Sequence, residues 1–335
     1  MSGPASQPDY RPFALRKWRR LRPLRRWAQV WLARGVLALT RRISVPAAQR
    51  LGRATGLLFH LLARKTRRIC DYQLQLAMPE LPLAERRVIV SDCFRQFGMT
   101  AWEALARPRI AADARHWVRI EDEAVLRNAL ARGRGVILLT AHTGNWELLS
   151  IAFGLLQQPA SAVVRDLANS EVSRMLNADR RTEYFDTILR GAPDAPRKML
   201  HVLRSGGVLI MAVDQDIDAQ GIWVDFFGIP ANTPRAPASL ALKRGAPLVT
   251  AFDVRGPDGR HTLRFAELPV PTGLAGDSRG EERLTALISQ AIEAHIRRYP
   301  SQWAWNHRRW KRRPPPDAPA GGEPPVRADP ASPQP

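Results

Sequence analysis

Two side chains five positions apart, His142 and Glu147, are of the types that move protons, and both lie in the stretch Val136-Ile-Leu-Leu-Thr-Ala-His-Thr-Gly-Asn-Trp-Glu147. An imidazole titrates near neutrality, so it can take a proton from a hydroxyl and return it to a leaving group. A carboxylate on its other nitrogen fixes tautomer and orientation and stabilises the imidazolium. No Ser or Cys nucleophile sits in the stretch, so the hydroxyl of a substrate would have to attack directly. Gly144 and Asn145 suit the backbone dihedrals of a tight turn, and N–H groups at the start of a following helix would face an anion. Taken alone, this spacing more often marks a solvated His and a first-turn Glu favoured by the helix dipole.

The elements around the pair can be read from pattern. Val136 to Thr140 is apolar or β-branched and follows Gly133 and Gly135, which predicts a buried strand. Residues 146–156 are apolar almost throughout and predict a buried helix, so His142 and Glu147 fall at a strand-to-helix turn, where chemistry is commonly placed. A helical region is expected at 84–106. From about residue 120 an alternation sets in: helix 121–131, strand 136–140, helix 146–156, strand 161–164, helix 171–181 behind Asn169 and Ser170. Strand 184–189, helix 196–204, strand 208–213 and helix 234–244 follow, the last with Thr233 as N-cap and Gly245 as its stop. Strands 248–254 and 261–267 flank Pro257-Asp-Gly259 as a hairpin. Leu284, Leu287, Ile288, Ala291 and Ile292 share one face of a final amphipathic helix. Alternating strands and helices imply an α/β fold with a largely parallel sheet flanked by helices.

In such a sheet, ligands gather at the carboxyl ends of the strands. Arg165 follows strand 161–164, where a guanidinium would hold a phosphate or an oxyanion, or simply pair with a nearby acid such as Asp166. Asp214 and Gln215 end strand 208–213 on the same edge. Asp214, Asp216 and Asp218 lack the spacing and closing Glu of a calcium loop. Residues 226–233, including Phe227 and Thr233, read as an apolar loop lining a greasy pocket, given Gly228 and Pro230. Trp303, Trp305 and Trp310 are interleaved with a basic run, a pattern suited to phosphorylated headgroups at a bilayer or to nucleic acid.

The 335 residues carry 51 Lys and Arg against 31 Asp and Glu, a net charge of +20. The excess is local. Between Tyr10 and Cys70 there are 17 basic residues and no acid, and between Arg297 and Arg313 there are 7 and again no acid. Elsewhere acids slightly outnumber bases. Such blocks bind nucleic acid or an anionic bilayer. Leu51, Ala54, Leu58, Leu61 and Leu62 share a helical face with Arg50, Arg53 and Arg64 off it, which describes a helix lying in a membrane interface. Residues 27–40 are mostly apolar but short for a span and interrupted by Gln29 and Arg34, so either peripheral association or a single N-terminal anchor is expected. The alternative is a helical pair packed on the core with a solvated basic face. No signal-peptide cleavage pattern is present. Cys70 and Cys93 have neither metal nor paired spacing, which fits a reducing compartment. The expected organisation is a disordered 1–9, basic membrane-associating helices at 10–70, an α/β domain at 71–313 and a disordered Pro-rich tail at 314–335.

Six segments in order resemble the lipid A biosynthesis acyltransferases, within the wider H-x4-D/E lysophospholipid acyltransferase superfamily. They are Gln73-Leu-Gln-Leu-Ala-Met-Pro-Glu80, His142-Thr-Gly-Asn-Trp-Glu147, Val164-Arg165, Gly207 to Gln215, Phe226-Phe-Gly-Ile-Pro-Ala-Asn-Thr233 and Trp305-Asn-His-Arg-Arg-Trp-Lys311. The resemblance implies a fatty acyl chain moved from acyl-acyl carrier protein, or acyl-CoA, to a hydroxyl of a phosphorylated glycolipid at the cytoplasmic face of the inner membrane. His142 would be the general base oriented by Glu147. Arg165, with N–H groups near Gly144 and Asn145, would bind phosphate or oxyanion, and Asp214, Gln215 and the 226–233 loop would complete the pocket. No metal or bound cofactor is implied. A related branch that acylates phosphatidylinositol mannosides shares much of the pattern, which leaves the acceptor open. A basic nucleic-acid-binding protein is the remaining alternative; its only support is charge and Trp content, with no recognition motif.

Overall fold

A seven-stranded sheet carries the molecule, and its strand order explains where the site lies. The computed structural model describes residues 42–165, 170–217, 221–275 and 279–314, with Trp31 and Gly35. The expectations for 1–9, for most of 10–41, for Asp166, Asn169 and Asp218, and for the tail beyond Pro314 lie outside those residues. The strands are β1 (Val118–Glu121), β2 (Val136–Thr140), β3 (Ala160–Val164), β4 (Phe185–Leu189), β5 (Val208–Ala212), β8 (Leu248–Arg255) and β9 (His261–Leu268), and the order is β1-β9-β8-β2-β5-β3-β4. All neighbours are parallel except β8 and β9, the expected hairpin. A separate antiparallel pair, β6 (Gly221–Phe226) and β7 (Ile229–Pro234), lies outside this sheet.

Central strand β2 is buried at every residue, as a parallel strand covered on both faces must be. Its side chains alternate between two cores. Ile137 and Leu139 join one face with helices α2 (Arg64–Ala77), α3 (Leu83–Leu105), α9 (Ala195–Arg204), α10 (Ala236–Arg244) and α11 (Gly280–Arg298). Val136 and Leu138 join the other with α6 (Glu123–Leu130) and α7 (Leu149–Leu156). Between them in sequence run the short helices α4 (Arg107–Ala112) and α5 (Ala114–Trp117), and α8 (Ser170–Arg180) links β3 to β4. On α11 the expected face is the buried one, with Leu284, Ile288, Ile292 and Ile296 inward.

Several local expectations are corrected. Strand β1 was not foreseen, because the short Val-Arg-Ile-Glu segment adjoins a helical pattern, and the helix behind it begins only at Glu123. Residues 226–233 form most of a hairpin rather than a pocket-lining loop. Phe227 and Gly228 turn it with φ of 57° and 70°, the left-handed geometry that two-residue hairpin turns require. Thr233 and Pro234 therefore end β7, and the next helix starts at Ala236 with Arg235 as its N-cap. The helix expected at 146–156 opens as a single 3₁₀ turn, Trp146–Leu148, before α7.

The first described helix, α1 (Val45–Leu62), is inside out by ordinary standards. It buries Val45, Ala48, Gly52 and Gly56 and leaves Leu51, Leu58, Leu61 and Leu62 exposed. The glycines permit close contact with α3: a Cβ on Gly56 would lie 2.3 Å from the Phe94 carbonyl oxygen, and one on Gly52 would lie 2.5 Å from the Met99 Cα. Position 70 falls inside α2, whose Cys70 and Leu74 are core residues. Gly56→Val is expected to lower the unfolding free energy by about 1–3 kcal/mol, the usual cost of forcing atoms into a packed seam. Chemical denaturation measures this, and an unchanged midpoint would show that α1 can shift without loss.

Candidate active site

The register of β2 and β5 brings the central pair of groups together. Thr140 lies opposite Ala212, so the residues two beyond each, His142 and Asp214, emerge side by side at the carboxyl edge of the sheet. His142 Nδ1 is 2.8 Å from Asp214 Oδ1. The other oxygen, Oδ2, accepts the His142 backbone N–H at 2.9 Å and the Trp303 indole N–H at 2.8 Å. Asp214 is 1% exposed. Burial alone would raise its pKa, but the imidazole beside it and these hydrogen bonds hold it at about 2. Burial likewise disfavours the imidazolium; the charge and hydrogen bond of Asp214 outweigh that, with help from Glu147, and the pKa of His142 is raised.

His142 lines a cavity of about 590 Å³, within the range of small-ligand sites. The cavity extends over the carboxyl ends of β2, β3 and β5. Leu149, Phe185 and Ile210 give it a buried apolar interior, while Arg165, Arg190 and Lys311 bring cationic groups to it, Arg165 and Lys311 being exposed. Glu147 lines the same space but does not hold the imidazole. Its carboxylate takes a two-pronged bond from Arg180, with both N···O distances 2.6 Å. Among the described residues no group of three or more His, Cys, Asp or Glu is placed to hold a metal ion.

Residues 15–312 match the family described as Bacterial lipid A biosynthesis acyltransferase. The chain belongs to that family. It is by that membership an acyltransferase. It is 28% identical to the lipid A biosynthesis lauroyltransferase of Escherichia coli K12 over 297 residues, covering 86% of this chain and 93% of that one. It is 27% identical to the palmitoleoyltransferase of the same organism over 293 residues, with the same coverage. A phosphatidylinositol mannoside acyltransferase of Mycolicibacterium smegmatis is 26% identical over 187 residues, 55% of this chain and 60% of that one.

In this lipid A acyltransferase family member, the site expected from sequence is brought together only in part. His142, Glu147, Arg165 and Gln215 line one cavity, with Asp214 directly behind His142. The expected orienting carboxylate was Glu147; the structure puts Asp214 there, because Glu147 points from the 3₁₀ turn to α8. Gly144 and Asn145 do form a tight turn, Gly144 at φ +56°, but their N–H groups are engaged within the protein rather than turned to the cavity. Gly144 donates to the Gln302 carbonyl at 3.0 Å, and Asn145 donates to Asp253 at 2.6 Å. Phe227 and Thr233 lie away from the cavity lining. The Arg297 guanidinium sits over the Phe227 ring at 4.8 Å, and the Thr233 hydroxyl accepts from buried Arg309 at 2.5 Å, because the hairpin packs into the core.

Arg180, Arg190, His307 and Lys311 also line the cavity, and no motif in the sequence marks them as site residues. Only the dense basic run near the C-terminal end hinted at the last two. Gln73 explains how that run reaches the site. Its amide donates to the carbonyls of Trp305 and His307 at 2.6 and 2.7 Å and accepts the Arg309 N–H at 2.6 Å. Replacing Asp214 by Asn removes the main charge that favours the imidazolium, so the His142 pKa should fall. Titration of the imidazole by NMR checks this; an unmoved pKa would mean that another group sets it.

Proposed function

We propose that the protein moves a fatty acyl chain from acyl-acyl carrier protein, or acyl-CoA, to a hydroxyl of a phosphorylated lipid A precursor. His142 is the general base. With Nδ1 engaged by Asp214, Nε2 is left for the acceptor hydroxyl. It removes the hydroxyl proton as the oxygen attacks the thioester carbonyl carbon. Collapse of the tetrahedral intermediate breaks the C–S bond, and the imidazolium returns the proton to the departing sulfur. Asp214 orients the ring and stabilises its charged form, as the carboxylate does in a serine-protease triad. Glu147 adds negative charge beside the imidazole and is kept in place by Arg180. Arg165, with Arg190 and Lys311, supplies cationic contacts for acceptor phosphate or the developing oxyanion, and Gln215 a polar contact. The apolar interior suits the acyl chain.

The observation that carries this reading is a His142–Asp214 pair opening on a cavity that is greasy inside and cationic at its exposed side. An acidic carrier protein would be drawn to the same basic chain ends. The His142→Ala enzyme is expected to lose about 10³-fold or more in acyl transfer while remaining folded, the scale of losing a general base with its partner. Mass spectrometry of products from the purified enzyme, donor and lipid A precursor measures it. Near-wild-type transfer by that variant would remove the reading. The partial match to a phosphatidylinositol mannoside acyltransferase supports a second acceptor class. The same assay with a mannoside acceptor decides between them.

The site of action is read as the cytoplasmic face of the inner membrane. Among the described residues no helix is long and apolar enough to cross a membrane. The outward leucines of α1, with Arg50, Arg53 and Arg64 near them, support a helix lying in an anionic interface. The double change Leu58→Gln and Leu62→Gln should weaken partition to vesicles containing anionic lipid on the order of tenfold, from lost apolar burial. Sedimentation with vesicles tests this, and unchanged partition would exclude α1 from the contact.

A further inference from the structure

Beneath the turn that carries His142, four charged side chains are closed off from solvent: Glu103 on α3, Asp253 and Arg255 on β8, and His261 on β9. They are bonded to one another. Glu103 Oε2 is 2.5 Å from Arg255 Nη2, and His261 lies 2.7 Å from Asp253 Oδ2 and 3.3 Å from Glu103 Oε1. They also grip the turn. Asp253 Oδ2 accepts the Asn145 backbone N–H at 2.6 Å, and Glu103 Oε2 accepts the Asn145 side-chain N–H at 2.8 Å. Arg255 donates to the Thr100 hydroxyl at 3.1 Å, which donates in turn to the Gly144 carbonyl at 2.8 Å. Asn145 Oδ1 accepts the Glu147 N–H at 3.2 Å.

We infer that Asp253 and Glu103 are positioning residues for the acyl-transfer reaction: through Asn145 they fix the turn that sets His142 and Glu147 in one cavity, with Arg255 and His261 holding them in place. Burying charge to this depth is costly unless it is paired, and a stable fold does not need four such groups at one turn. The inference rests on the reading of His142 as the base.

Balance within the quartet requires His261 to carry a proton, giving two positive charges against two negative. Burial would lower its pKa, but Asp253 and Glu103 lift it to about 9. Arg255 adjoins it on β8, uncharged Val118 faces it from β1, and Gln49 of α1 donates to Glu103 at 2.8 Å. Because the folded pKa lies above the ordinary value of about 6.5, this contribution is complete below that pH and is lost as pH rises through about 9.

The test uses the full-length enzyme with the donor and acceptor that the wild type turns over. Asp253→Asn and Glu103→Gln are expected to lower kcat about 10- to 100-fold, the scale of a misplaced reacting group, with KM changed less than about threefold. The acid limb of the kcat profile should also move down, because a loosened turn weakens the His142–Asp214 pair. A merely structural role would lower the melting temperature and leave that limb in place. If those variants do not fold, Thr100→Val, which removes one hydroxyl at nearly constant volume, decides: a lower kcat and a shifted limb at native melting temperature support the inference. Folded variants with unmoved kcat and limb, beside an inactive His142→Ala enzyme, overturn it alone. An active His142→Ala enzyme overturns the reading of the base and this inference with it.

Discussion

A carboxylate withdrawn from water costs on the order of several kcal/mol unless donors replace its hydration, and the site is built around meeting that cost at Asp214. Three donors converge on it: the imidazole of His142, the backbone N–H of the same residue and the indole of Trp303. Two of them belong to one residue, so a single acid fixes both the main chain and the ring of His142. The third ties in the segment after α11, where an isolated bridge pairs Thr143 with Trp303 and the Ala304 N–H reaches the His142 carbonyl at 3.1 Å. Residues far apart in the chain thus depend on one buried charge. The consequence for chemistry is that the outer ring nitrogen has little freedom to reorient.

Glu147 presents the opposite design. It is close to the imidazole in sequence and shares its cavity, yet Arg180 takes both of its oxygens. The pair is partly exposed, so its worth to stability is modest. Its electrostatic effect is more specific. The negative charge still favours the imidazolium, after Asp214, while Arg190 opposes it. The result is an imidazole with raised proton affinity beside an ion-paired carboxylate. Arg180 is thereby committed to Glu147 rather than to the open part of the cavity.

What the sequence disclosed follows from the range of the interactions concerned. The parallel strands were legible because burial on both faces makes Val136 to Thr140 and Val208 to Ala212 continuous apolar runs. The β8–β9 hairpin was legible from its turn chemistry. The β6–β7 hairpin was not, since Gly228 and Pro230 usually break strands, and here they serve a turn and an edge. His142 was visible at a strand end. Its true partner was not, because the adjacency of β2 and β5 is a tertiary fact that places residues 142 and 214 together across 72 positions. Glu147 is the nearest acid in the chain, and the family resemblance implies the role for it. Gly144 and Asn145 were read correctly as a turn, but the direction of their N–H groups is set by Asp253 and Gln302, again from distant segments.

The N-terminal helix extends the same logic to the surface. A helix that contributes to a core normally turns its large apolar side chains inward. Helix α1 does the reverse: Ala48, Gly52 and Gly56 meet α3, and Leu62 is 72% exposed. Small residues allow backbones to approach closely, which gains contact but removes little apolar area from water. Packing on α3 therefore accounts for the glycines and not for the leucines. Leu83, Val88 and Phe97 on α3 are exposed as well. A helix that packs through its glycines and turns its leucines outward keeps an unburied apolar face, which is the physical requirement for a helix to lie in a bilayer interface.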